Sequence, residues 1–273
     1  MTGYAVYLIF LATVSIFPGQ VVQLSVPTGS GMQAAVVDWN DQLIPYDCVE
    51  NYCYTMIGVD LDVAPGDYSA ETTMFFADGT ERRITHNIQV QEKTYPTTRL
   101  EVEPKYVELS AENQARTAKE REEINAIYTH ITPEAYWSEP FSVPIPGVTG
   151  GRNFGRRRVF NDQPRSPHSG ADLKAATGDE IHASNRGKVV LAKNLFFSGN
   201  AVFVDHGLGV YSVYLHLSEY RVAVGDTVER GQVIGRAGAT GRVTGPHLHW
   251  GMRVSNARVD PFSVLDSQAP PEQ

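Results

Sequence analysis

At 273 residues, with 42% apolar and 20% charged side chains, the chain can form one large domain or two ordinary ones around a real core. Its net charge of −8 argues against a general affinity for nucleic-acid phosphates. No apolar run of roughly 18 residues follows the N-terminus, so the body is expected to be soluble.

The first stretch, Tyr4 to Phe17, is almost wholly apolar and ends at Pro18-Gly19. At about 14 residues it has the length of a signal-peptide core and falls short of a spanning helix. No Lys or Arg precedes it and no Ala-x-Ala site follows, so a buried first strand or helix is the competing reading. We expect a signal peptide or N-terminal anchor over residues 1–18, and hence export to the periplasm or cell envelope.

From Val21 to about Val90 the pattern is β. Val21 to Val26, Met32 to Trp39, Tyr54 to Leu61, Asp67 to Phe76 and Arg82 to Val90 are strand candidates. Asp78-Gly79 is a hairpin signal and Pro65-Gly66-Asp67 marks another turn. Short strands with frequent turns fit a small β-sandwich over residues 19–94. Cys48 and Cys53 enclose a loop short enough for a local disulfide in an oxidising compartment, with free thiols as the alternative. His86, alone in its strand, is expected to be structural.

Residues 95–140 read as a linker. Tyr95 to Glu108 is a connector, and Ser110 caps a helix from Ala111 to about Tyr128. The apolar stripe of that helix is thin, so one half should face water. The Pro-rich segment Pro140 to Gly147 then enters a second β region. Its strand candidates are Lys188 to Lys193, Ala201 to Asp205, Val210 to His216, Gln232 to Arg236 and His247 to Val254. The tail, residues 267–273, reads as disordered.

The chemistry concentrates in this second half. His247 and His249 lie two apart in a short strand, so their side chains share a face, with Cα atoms roughly 6.6 Å apart at about 3.3 Å per residue. His168 and Asp172 lie four apart in His-Ser-Gly-Ala-Asp. On a flat strand they would be about 13 Å apart, too far to share a metal. Pro167, Ser169 and Gly170 argue against a helix, so a shared metal demands a bend at Ser169-Gly170. Two histidines and a carboxylate make a three-ligand zinc set with an open fourth position, as catalytic zinc requires. His216 and the non-ligand member of the His247/His249 pair would then supply proton transfer and oxyanion stabilisation. His206 is expected to make structural hydrogen bonds, and His182 to pack or line a rim.

His168-x-x-x-Asp172, Tyr214-x-His216 and His247-x-His249, in that order, resemble the lysostaphin-type (LytM-like) zinc endopeptidases. Asn153-Phe154-Gly155-Arg156-Arg157, Asp205-His206-Gly207-Leu208-Gly209 and Gly245-Pro246-His247 extend the likeness. The resemblance implies an antiparallel β catalytic domain over residues 141–266, so that the whole chain is all-β with a linker helix. It implies one zinc ion held by His168, Asp172 and His249, with His216 and His247 as catalytic histidines. It implies hydrolysis of peptide bonds in peptidoglycan stem peptides or cross-links. Arg156, Arg157 and Arg158 form a short basic run that reads either as a solvated loop or as holding stem-peptide carboxylates, which arginine binds bidentately; Asn153, Arg156 and Arg157 are the expected substrate-binding residues. A non-catalytic wall-binding activator of other hydrolases is the alternative. A monomer is expected, with peptidoglycan as partner and no nucleic acid.

Overall fold

The structure, a computed structural model, describes residues 13–148 and 150–267. The start of the apolar leader and the tail beyond Ser267 lie outside the described residues. Strands dominate, as expected of an all-β protein.

Residues 14–90 form two sheets. One has five strands in the order Val14–Ile16, Glu81–Val90, Gly66–Phe76, Met32–Trp39, Gln42–Pro45. The other has three, with Tyr52–Gly58 between Val21–Pro27 and Asp47–Cys48. The period-2 pattern explains the packing: Ile84, His86, Ile88 and Val90 point inward along one strand while their neighbours are exposed. They meet Val22, Leu24, Val26 and Ile57 of the other sheet in one core. His86 is structural, its Nε2 lying 2.8 Å from Thr72 Oγ1, which in turn contacts the Tyr46 hydroxyl. Cys48 and Cys53 are paired across the strands and disulfide-bonded. The end of the apolar leader is part of this fold: Val14–Ile16 runs parallel to Ile88–Val90.

The C-terminal half is built on a sheet ordered Gly170–Leu173, Leu248–Val254, Val210–Leu217, Gly199–Asp205, Gly187–Leu195, Thr227–Val228, with Ala257–Val259 paired to Leu248–Val254. Trp250, Tyr214, Leu173 and Val202 are fully buried beneath it. The helix Ala111–Thr129 crosses the other face. Ser110 caps it by accepting from the Asn113 N–H at 3.2 Å. Tyr128 is its one buried residue, stacked on Phe203 at 5.8 Å. Glu120 accepts from the Phe196 N–H, and Glu123 pairs with Lys193 at 2.7 Å, so polar contacts fix what the thin apolar stripe does not.

The stretch from Tyr95 to Glu108, expected to be a connector, contains a strand. Thr97–Leu100 runs parallel to Arg157–Phe160, whose other neighbour is Gln163–Arg165. Further on, the Tyr106 hydroxyl donates to the Gly241 carbonyl at 2.9 Å.

The two halves are joined by a compact polar clamp. Arg258 bonds both oxygens of Asp60 and reaches Asp62. Burial alone would raise the Asp60 carboxyl, but the hydrogen bonds and charge of Arg258 hold it below its ordinary value. Its contribution is therefore present above the ordinary carboxylate range and is lost as pH falls through the lowered value. Arg258→Ala is expected to cost about 2 kcal/mol at pH 7, because a half-buried carboxylate loses its partner. The cost should shrink steadily as Asp60 protonates. Thermal melts of both proteins at pH 7 and pH 3 check this, and a deficit that grows on acidification would contradict it.

Candidate metal centre and catalytic groove

Asp172 and His249 sit directly opposite each other on antiparallel strands, so their side chains leave the sheet on one face. His168 comes just before the strand. Its N–H donates to the Arg156 carbonyl at 2.9 Å, and its carbonyl accepts from the Gly155 N–H at 2.8 Å. These bonds fix the approach to the strand, and the three side chains converge although Ser169-Gly170, where a bend was expected, runs without one into the strand that starts at Gly170. His168 Nε2 lies 3.0 Å from Asp172 Oδ1 and 3.0 Å from His249 Nδ1, and the latter two atoms are 3.0 Å apart. One ligand atom from each residue falls within a 4.8 Å cluster.

The donor chemistry of this cluster fits a cation. His168 Nδ1 faces the Asn153 carbonyl at 3.0 Å, so in the neutral ring the proton sits there and Nε2 presents a lone pair. A carboxylate oxygen and imidazole nitrogens then converge with more lone pairs than protons. Burial alone would raise the Asp172 carboxyl. Hydrogen bonds and charge from His168 and His249 overcome that and hold it well below the carboxylate range. His249 is pushed down, chiefly by burial.

Asn153, expected to bind substrate, is occupied by Asp172. Its Nδ2 donates to Asp172 Oδ2 at 3.0 Å and its Oδ1 accepts from the Asp172 N–H at 2.9 Å. It orients two of the three ligand side chains, as outer partners of a metal site do.

His216 reaches the same face by a distortion. Leu215 is paired with His249, so strict alternation would turn His216 the other way. Pairing with the neighbouring strand slips between Asn200 and Val202, and His216 takes a φ of 65°. This bulge re-aims the side chain. His216 Nδ1 meets the Thr240 carbonyl at 2.9 Å, which leaves Nε2 as an acceptor. Burial first, then the neighbouring His249 and His247, push His216 down to about 3, so it is neutral at pH 7. The His247 ring stands 5.0 Å from that of His216, and its Nε2 lies 3.6 Å from Asp172 Oδ1. The five residues therefore line one groove of about 270 Å³.

The other sequence expectations divide. His206 is fully buried between the Arg186 carbonyl and Ser212 Oγ, as a structural residue. His182 faces the Gly231 carbonyl at 2.7 Å. Arg156 lines the groove, but Arg157 does not. Residues 156, 158 and 160 share one side of the strand, so Arg158 takes the place expected of Arg157. Arg242, which also lines the groove, carried no signal in the sequence.

Residues 166–261 match the model of Peptidase family M23. The peptidoglycan DD-endopeptidase ShyA of Vibrio cholerae is 42% identical over 119 residues, which is 43% of this chain and 27% of that protein. The DD-carboxypeptidase/endopeptidase Mpg of Neisseria meningitidis is 42% identical over 97 residues, 36% of this chain and 22% of that one. The matched region thus spans about a quarter of the length of these curated relatives. A crystal structure of a candidate M23 peptidase from Pseudomonas aeruginosa superposes with a TM-score of 0.68 and 27% identity, covering 92% of this chain and 95% of that one. Residues 166–261, which include His168, Asp172 and His249, accordingly form a Peptidase family M23 domain.

Proposed function

We propose that the chain is a zinc-dependent endopeptidase that hydrolyses DD-configured amide bonds in peptidoglycan. The observation that carries this reading is the convergence of His168, Asp172 and His249 beside two further histidines in one groove. DD-endopeptidase and DD-carboxypeptidase relatives supply the substrate class. A zinc ion held by His168, Asp172 and His249 would polarise the scissile carbonyl and acidify a water molecule.

The residues around it have separable tasks. Neutral His216, its Nδ1–H committed to Thr240, offers Nε2 to take a proton from the attacking water. His247 has its Nδ1 against the Gly245 carbonyl. Its ring stands beside that of His216, placed to stabilise the developing oxyanion. Asn153 keeps Asp172 and His168 aimed. Bulky Leu215 and Phe197 flank the groove and limit water around the reacting amide.

We further infer residues 141–266 as the peptidase unit, residues 19–94 as an accessory β module, and a monomer that works outside the cytoplasm. The Cys48–Cys53 disulfide favours an oxidising compartment. Among the described residues, no helix is long and apolar enough to cross a membrane. The test is digestion of purified sacculi by the zinc-loaded full chain, with mass spectrometry of the released muropeptides. Cross-linked dimers should fall to monomers, stop doing so with chelator, and resume with zinc. Intact dimers after zinc loading would reject the enzyme and leave the activator reading.

A further inference from the structure

Arg158 and Arg242 line the groove that holds the histidines, with Arg165 near enough to Arg242 for their charges to be felt, and among the described residues none of the three hydrogen-bonds or ion-pairs directly with a carboxylate. Arg242 lies in the loop leading to His247. Its guanidinium is sandwiched between Phe160, 4.8 Å away, and Phe197, 4.6 Å away. Among the described residues its side chain has no hydrogen-bond or ion-pair partner. Arg158 gives Nε and Nη2 to the carbonyls of Ser166 and Pro167, both neutral. Arg165 stands behind them. It bonds the Val107 carbonyl and Gln163 Oε1, and its Nε is buried without a partner.

Among the described residues lining the groove, Asp172 is the sole carboxylate, and it belongs to the metal set. Holding three like charges together beside aromatic rings is costly unless an anion joins them. The cost is visible in Arg242, pushed down to about 10 by burial and by the charges of Arg158 and Arg165. Stacking on Phe160 and Phe197 fixes the plane of Arg242, which leaves its fork of N–H donors preorganised for a planar anion.

We propose that Arg158 and Arg242 form a subsite for the free carboxylate on the leaving-group side of the scissile bond. The inference rests on the DD-amide reading above. A DD-carboxypeptidase substrate ends in a D-residue whose α-carbon carries a free carboxylate. In a DD cross-link to a diamino acid, the carbon next to the leaving nitrogen carries one too. One arginine pair therefore serves both reactions, and it selects bonds flanked by a carboxylate over ordinary internal peptide bonds. Arg165, paired with Arg158 across the strands, adds charge beside the pair without touching substrate.

The probes are an acylated D-Ala-D-Ala peptide with a free C-terminus and the same peptide as its carboxamide. KM and kcat are measured on the zinc-loaded full chain, and Kd by calorimetry on the chelator-treated chain. The free acid should have a KM and a Kd about 10- to 100-fold lower than the amide, as a charge-assisted bidentate contact gives. In Arg242→Gln and Arg158→Gln the ratio should fall towards one. The subsite is overturned by equal KM and Kd for the two peptides in the unaltered protein, or by an undiminished ratio in both variants. Preferential binding of the acid without cleavage keeps the subsite and rejects the peptidase. Equal cleavage of both peptides does the reverse.

Discussion

His216→Ala is expected to bind its metal normally and to lose about 10²- to 10⁴-fold in turnover, the usual worth of a positioned general base. The reasoning is geometric. His216 enters the groove through the bulge, five ångströms from the His247 ring, and is not one of the three residues whose ligand atoms cluster. Its Nδ1 is spent on the Thr240 carbonyl, so the side chain keeps one free nitrogen, Nε2, for the proton. His168→Ala should behave oppositely, since it removes a member of the cluster: bound zinc and turnover fall together. Zinc content by mass spectrometry, alongside sacculus digestion, separates the two variants. Normal digestion by either would remove the basis of the enzyme assignment.

A second large effect comes from a residue that binds nothing. In Gly170→Ala the new Cβ would sit 2.5 Å from the Trp250 carbonyl oxygen and 2.6 Å from His249 Nε2. The sheet cannot part there, because Gly170 is paired with Gly251 and Asp172 with His249. The His249 ring must yield, and with it the 3.0 Å approach to Asp172. We expect zinc affinity to fall at least as far as the roughly 10- to 100-fold seen when an outer partner of a ligand is removed. Overpacking should also cost about 1–3 kcal/mol of stability. Competition with a chromogenic chelator measures the first and thermal unfolding the second. Unchanged affinity would mean that the ring moves freely and that the site tolerates a looser His249.

Much of this centre is legible from the order of residues alone. The two-residue spacing of His247 and His249 places both on one face, and the glycine between His168 and Asp172 leaves room for the His249 ring. What escapes is whatever depends on a neighbour distant in sequence. His216 arrives by a slipped pairing with Asn200–Val202, and no Gly or Asn at that position signals the left-handed backbone. In Arg156-Arg157-Arg158 only knowing that a strand begins there tells which arginines face inward. Thr97–Leu100, among prolines and glutamates, carries no alternation of its own. It is a strand because Arg157–Phe160, far along the chain, offers it an edge. The start of the fold follows the same rule, for the tail of the apolar leader is strand-paired to Ile88–Val90.

That borrowed edge matters to anyone who would dissect the molecule. Thr98, Leu100 and Val102 border the groove that holds the histidines, and Tyr106 ties the same segment to the loop bearing Arg242. A truncated version starting near the proline-rich entry would keep His168, Asp172, His216, His247 and His249 while missing one bank of the channel. The shorter and longer forms are then distinct reagents, and selectivity measured on the shorter piece describes a wider, more permissive cleft.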